Sequence, residues 1–446
     1  MNKSDQQDDE GLVRTIGPPV LGLNIVNMVV GGGIFVLPGV IAVQLGSAAI
    51  LAYLVCSIAV ALVFLCFAEV GSRITRSGGA YAYIEEAFGP FAGFIASILL
   101  WFGWCVLSDA AITVAMVETM ATAIPALGNP LPRVMFMVVL FTFLAVANIR
   151  GVKSGVRLFV FNTIAKLVPL LLLLVVGLFA INFENLAIPA WPTLQSISAG
   201  ALVLVFAFSG AEAALSSSGE ISNPPRTVPR GLLLGLGAIL MLYVGLQTVA
   251  QGVLGAELAS NTEAPLAATA TAIFGEWGAT MLLVGGVISI FATVSGDLLN
   301  TPRVLFASAR DGTLPAFLAK VHPKYRTPHI AIAVYAAAIC IIALSGTFKP
   351  LAVLASGSIL VIYAGVCLSV LRLRHRDGNP KSSEFRIPGG PVIPLLGFAL
   401  IAWLLWQLTG EEAMGLGALM AVSAVYYAIN SFVIRRRAAF IEPGKS

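Results

Sequence analysis

Apolar runs of about 20 residues recur along the whole chain, and that is the length needed to cross a hydrocarbon core of ~30 Å. Short stretches rich in charge, glycine and proline separate them. The runs fall at 17–44, 47–71, 90–122, 132–149, 156–183, 195–220, 228–255, 277–302, 328–346, 350–371, 391–408 and 413–434. Read as helices, they predict an all-α membrane protein with twelve transmembrane helices. The polar segment 1–16 holds Asp5, Asp8, Asp9 and Glu10 against Lys3 and Arg14, without the basic start and following apolar core of a cleavable signal. The first run is therefore expected to stay as an anchor.

Two runs are interrupted. In the first, Gly31-Gly32-Gly33 lies inside an apolar stretch from Pro18 to Leu45. Each glycine costs a helix interior about 1 kcal/mol relative to alanine, so three together favour unwinding. Unwound backbone at membrane depth is tolerated where it is buried in protein or lines a cavity. In the sixth run, Ser209-Gly210 is followed by Ala211-Glu212. Serine and glycine weaken the helical ladder, and an intramembrane glutamate is costly enough to suggest function. Paired interruptions in corresponding helices point to a transporter's substrate site. Their spacing of five spans, an odd number, requires the second copy to run in the opposite sense. An inverted repeat of spans 1–5 (17–183) and 6–10 (195–374) follows. Spans 11 and 12 (391–434) are additions, and polar tails lie at 1–16 and 435–446.

Composition agrees. Hydrophobic residues make up 58% of the chain and charged residues 11%. Of the 26 lysines and arginines, all but Arg133, Lys349 and Lys166 fall on one side if both termini are cytoplasmic. The net charge of +4 thus reports orientation by the positive-inside rule, and nucleic acid is not an expected partner. The five cysteines lie within apolar runs as packing residues. The three histidines lie in or beside loops, so no metal site or histidine-based catalysis is expected in the membrane. The stretch 372–390 reads as a solvated basic loop, and Arg435-Arg436-Arg437 as a stop at the anionic leaflet.

Several residues are candidates for chemistry. The N–H groups freed at Gly31, Gly32, Gly33 and Ile34 suit a substrate carboxylate at the start of a half-helix. The alternative is close helix packing. Carbonyls at Ser209, Gly210 and Ala211 suit a substrate ammonium, against a simple kink. Lys166 lies about ten residues into span five, roughly 15 Å deep. It suits a coupling role, against a permanently charged structural ammonium. Asp109 and Glu212 are buried acids able to titrate or to recognise a cationic side chain. Asp297 is expected to pair with Arg303, and Glu118 to be solvated. Glu69 and Arg310-Asp311 sit at cytoplasmic helix ends, as salt bridges or as loop caps.

The order of several motifs resembles the amino acid–polyamine–organocation (APC) family of permeases. They are Gly31-Gly32-Gly33-Ile34-Phe35; Glu69 with Gly78-Gly79-Ala80-Tyr81-Ala82-Tyr83 and Ala87-Phe88-Gly89; Gly210-Ala211-Glu212; Asn223-Pro224 with Arg226 and Pro229; and Ala309-Arg310-Asp311-Gly312 with Leu314-Pro315. The resemblance implies a LeuT-type 5+5 inverted repeat, with substrate held between spans 1, 3, 6, 8 and 10. It implies a gating aromatic at Phe206, with Phe208 and Phe35 as weaker matches. It places Lys166 where relatives bind sodium and Glu212 near proton-sensing machinery. Asp109 departs from the family pattern, which keeps a cationic substrate open.

The expected function is a secondary transporter of amino acids in a bacterial inner membrane. It works by alternating access, coupled to protons or to exchange and independent of sodium, and needs no cofactor. A polyamine or basic amino acid exchanger is the alternative. An exporter, an intramembrane enzyme and a non-transporting receptor rank behind it.

Overall fold

The computed structural model describes residues 16–74, 79–151, 156–215, 221–310, 312–381 and 384–441. Most of the N-terminal tail, Arg76, Gly78, Lys153, Asp311 and the end of the C-terminal tail lie outside the described residues. The helices in order are α1 (Pro18–Val29), α2 (Gly33–Leu45), α3 (Ala49–Arg73), α4 (Ala80–Phe88), α5 (Pro90–Ile98), α6 (Leu107–Ala123), α7 (Pro130–Ile149), α8 (Val156–Gly177), α9 (Leu194–Phe208), α10 (Ala211–Leu215), α11 (Pro224–Leu254), α12 (Pro265–Phe274), α13 (Glu276–Arg310), α14 (His329–Ser345), α15 (Phe348–Asp377), α16 (Val392–Leu405) and α17 (Gly410–Ile441). A π-helical turn set, Leu99–Val106, joins α5 to α6 in one continuous rod.

Helix starts follow local chemistry. Prolines open α1, α5, α7, α11 and α12, where the missing N–H has no intrahelical role. Thr193 caps α9 by accepting from the Ser196 N–H at 3.1 Å. Among the described residues, eight helical stretches are long and apolar enough to cross a membrane. Shorter apolar helices at Pro18–Val29, Asn162–Gly177, His329–Ser345 and Val392–Leu405 fall on the predicted runs one, five, nine and eleven. The helices α4 and α12 belong to connections and were not among the predicted runs.

The core lies where α1, α3, α9, α11 and α15 pack together. The α1–α11 crossing is close because small residues face each other. A Cβ on Gly231 would lie 2.7 Å from Leu21, and one on Gly22 would lie 3.2 Å from Leu234. At the periphery, α7 turns Leu131, Met135, Val139 and Phe143 outward, as a lipid-facing helix does. The stretch 372–390, expected as a solvated loop, is pinned at its far end. Ile387 is buried, and its N–H donates to Glu69 Oε2 at 2.8 Å.

Candidate functional site

Both interrupted runs are broken in space. After Val29 the backbone leaves the helix and resumes at Gly33, with the Gly31 N–H donating to Val29 O at 2.8 Å. After Phe208, Ser209 is extended, Gly210 takes φ +128°, and α10 starts at Ala211. The two breaks touch: a Cβ on Gly210 would lie 3.0 Å from Met28 O. Tyr243 on α11 joins them. Its buried hydroxyl lies 3.0 Å from Val29 O and 3.2 Å from Ala207 O, where α1 and α9 end.

Helix ends explain the chemistry. The C-terminal ends of half-helices carry unpaired carbonyls and partial negative charge. Here protein donors meet them. The Lys166 ammonium, 3% exposed, donates to Asn27 O, one turn before the glycines. Thr163 Oγ1 donates to Asn27 Oδ1 at 3.1 Å. The N-terminal end of α2 is different. No side chain caps Gly32, so the first-turn N–H groups of Gly33 and Ile34 have no intrahelical acceptor by helix geometry. The N-terminal end of α10 is served from within: the Gly210 N–H donates to Glu212 Oε2 at 3.1 Å, and the Tyr363 hydroxyl donates to the same oxygen at 2.9 Å. The Ser209 hydroxyl donates to Val205 O at 2.8 Å. Of the two N-terminal ends at the breaks, the one without a side-chain cap is therefore that of α2.

The glycines have two jobs that differ by position. A Cβ on Gly31 would meet nothing closer than Thr293 Oγ1 at 3.7 Å. On Gly32 it would lie 2.7 Å from Ile290 and 3.0 Å from Ile112, and on Gly33 3.1 Å from Phe206 and 3.2 Å from Ala207. Close packing is thus real at Gly32 and Gly33. Phe206 covers Gly33 and stands 5.9 Å from Trp104 and 5.7 Å from Phe348, centroid to centroid. Phe208 lies apart, in a buried aromatic column between Tyr53 and Tyr243. Phe35 packs on Gly286 of α13. Around the break, α13 also brings the Ser289 hydroxyl to Gly31 O at 3.4 Å.

Asp109 is fully buried on α6, one turn before Ile112. Its Oδ2 accepts from the Tyr335 hydroxyl of α14 at 2.9 Å. Asp297 does not pair with Arg303, as the local spacing suggested. No such ion pair is present among the described residues, and the Asp297 carboxyl instead neighbours Asp109 across the packed α6–α13 contact. The reason is helical phase: Asp297 sits four residues after Thr293, on the face of α13 that is turned to α6. Glu118 is not freely solvated but lies 3.4 Å from Arg133. Near the C-terminal end of α3, Glu69 is fully buried and takes both the Nε and Nη2 donors of Arg374, whose Nη1 donates to Gly390 O at 2.6 Å.

Tyr243, Ser289, Thr293 and Tyr335 escaped the sequence reading. A lone tyrosine in an apolar run reads as packing. Ser289, Thr293, Asp297 and Thr301, by contrast, recur every fourth residue, and that polar stripe was a legible signal.

Comparison with known proteins places the chain. The family model described as amino acid permease matches residues 23–437. The serine/threonine exchanger SteT of Bacillus subtilis is 29% identical over 94% of this chain and 98% of its own length. A methylthioribose transporter of the same organism is 28% identical, covering 96% and 95% respectively. The branched-chain amino acid permease BcaP of that organism is 27% identical, covering 90% and 89%.

Proposed function

Because the chain belongs to the amino acid permease family, and is a multi-pass membrane transporter, we propose that it moves amino acids by alternating access around the paired breaks. The transporter has twelve spans, both termini in the cytoplasm and an inverted repeat of spans 1–5 and 6–10. The observation that carries this reading is the asymmetry of the breaks. The carbonyl ends at Asn27, Val29 and Ala207 meet Lys166 and Tyr243, while the N–H end at Gly33 and Ile34 is uncapped. An α-carboxylate fits that end. Phe206 is the gate over it, while Phe208 steadies the second break through its contact with Tyr243.

Sodium independence has the same support. Half-helix carbonyl ends are where transporters of this kind hold coupling cations. Here an ammonium and a hydroxyl already serve them. The cycle runs on protons or on exchange, with Lys166 and Glu212 in the coupling machinery. The printed names of the relatives include an exchanger of serine and threonine and a permease of branched-chain amino acids. They support small neutral or aliphatic side chains as the first to test.

A basic amino acid or polyamine exchanger is the second reading, and Asp109 is its observation. It predicts that Asp109→Asn weakens cationic substrates selectively. The deciding experiment is flux in proteoliposomes over a panel of amino acids and amines, with and without a pH gradient and with sodium or choline outside. Uptake or exchange of neutral amino acids, unaffected by sodium, is expected. No flux of any amino acid or amine would sink the proposal.

A further inference from the structure

The acid pair on α6 and α13 is not needed to bind an α-amino acid backbone, yet it is built into the site. Ser289, Thr293, Asp297 and Thr301 follow at four-residue intervals and so form one stripe along α13. The stripe begins at the glycine break, where the Ser289 hydroxyl reaches Gly31 O at 3.4 Å and a Cβ on Gly31 would lie 3.7 Å from Thr293 Oγ1. It continues to Asp297, which faces Asp109. Depth agrees: Ile112 and Ile290 both press on Gly32, and Asp109 lies one turn from Ile112. The pair therefore sits about one to two turns from the substrate position, at the end of a polar line that starts there.

The pair has an unsatisfied acceptor. Asp109 Oδ2 takes the single proton of Tyr335, whereas Asp109 Oδ1 is buried with no hydrogen-bond partner among the described residues. Its neighbour is another carboxyl, also an acceptor when ionised. The titratable groups that face the pair are Cys105 on the same rod as Asp109, Tyr335 on α14 and Glu212 on α10; α15 adds none. None is basic. Two carboxylates facing each other inside the bundle, Asp109 fully buried and Asp297 partly buried, repel each other when no cation stands between them, and none does among the described residues. A single proton shared between them removes one charge and turns the contact into an O–H···O bond.

We propose that Asp109 and Asp297 form a proton-binding site that holds one proton between their carboxyl groups while the site is closed, and that this proton travels with the transport cycle. The inference rests on the transporter reading above. When the pathway opens to water, hydration lets both carboxyls ionise, and the proton leaves to bulk water as hydronium. Closing again requires one proton to be taken up. The polar stripe links occupancy of the glycine break to closure around the pair.

The test uses the full chain in proteoliposomes. For one proton per substrate, a pH gradient of one unit sustains about tenfold accumulation of a neutral amino acid. Wild type is expected to approach that value. Asp297→Asn is expected to accumulate no more than it does without a gradient, while counterflow, which needs no net proton movement, falls far less. Infrared difference spectra give a readout independent of flux: a protonated-carboxyl band that titrates in wild type and is lost in both Asp297→Asn and Asp109→Asn. Equal accumulation by wild type and Asp297→Asn would overturn the proposal, as would a band unchanged in both variants. A wild type that exchanges amino acids but ignores the pH gradient would overturn it too, and leave the transporter reading standing. Absence of all flux removes the transporter reading, and with it the cycle that the proton is proposed to follow. Should Asp109→Asn misfold, Asp297→Asn, whose position is only partly buried, carries both readouts.

Discussion

The hydroxyl of Tyr243 lies 3.0 Å from the carbonyl of Val29, and at 3.2 Å it also reaches Ala207. One proton thus serves the ends of two half-helices that are far apart in sequence. Tyr243→Phe keeps the ring contact with Phe208, at 4.9 Å between centroids, and removes only the donor. Leaving buried carbonyls without it costs about 1–3 kcal/mol. The expected result is a lower thermal inactivation midpoint in detergent and weaker substrate protection against heating. An unchanged midpoint together with unchanged protection would show that the hydroxyl does not hold the breaks together.

The three glycines separate into two classes. Gly31→Ala has room, since its Cβ would meet nothing closer than Thr293 Oγ1 at 3.7 Å and Val29 O at 3.9 Å. Gly32→Ala would press on Ile290 at 2.7 Å and Ile112 at 3.0 Å. Overpacking of that kind costs about 1–3 kcal/mol. Gly210→Ala adds backbone strain, because φ is +128°. Folded yield and melting are expected to fall in the order Gly31→Ala, Gly32→Ala, Gly210→Ala. Equal damage at Gly31 and Gly32 would count against this packing account.

The helical runs and both breaks were legible because they depend on local composition: apolar length, and glycine where a helix needs Cβ atoms. What joins the breaks was not. Tyr243 sits in an ordinary apolar run, and only the fold brings it to Val29 and Ala207. Asp297 was read against its near neighbour Arg303, when its partner Asp109 is far along the chain. The loop before Pro391 looked solvated because its composition is basic and rich in glycine and proline. Ile387 and Arg374 instead close it onto Glu69, a contact between distant segments that local sequence does not encode.

That contact makes its own prediction. Glu69 is fully buried, so Glu69→Ala strands the Arg374 guanidinium and the Ile387 N–H. Breaking a buried pair from one side costs about 3–5 kcal/mol. Expression of folded protein should fall steeply, and Arg374→Ala should do the same. The double replacement is expected to cost less than the sum of the two, because neither charge is left alone. Strict additivity in melting experiments would mean that the two residues act independently.

Lys166 gives the sharpest functional test of the breaks. Its ammonium donates to Asn27 O, one turn before the glycines, from a position 3% exposed. The charge therefore sits at the carbonyl end of α1, where a cation is stabilised by the helix dipole. Lys166→Ala removes both the charge and the donor. The Asn27 carbonyl then loses a charged partner, which shifts the balance between closed and open arrangements of α1. Accumulation driven by a pH gradient is expected to disappear, and adding sodium is not expected to restore it, since one ligand group does not make a metal site. Binding measured by heat protection should weaken less than transport, because the N–H groups at Gly33 and Ile34 remain. The measurement is uptake by proteoliposomes at matched protein content, alongside melting of the same preparation. Accumulation equal to the parent protein would remove Lys166 from the coupling mechanism and leave it as a structural cap on α1.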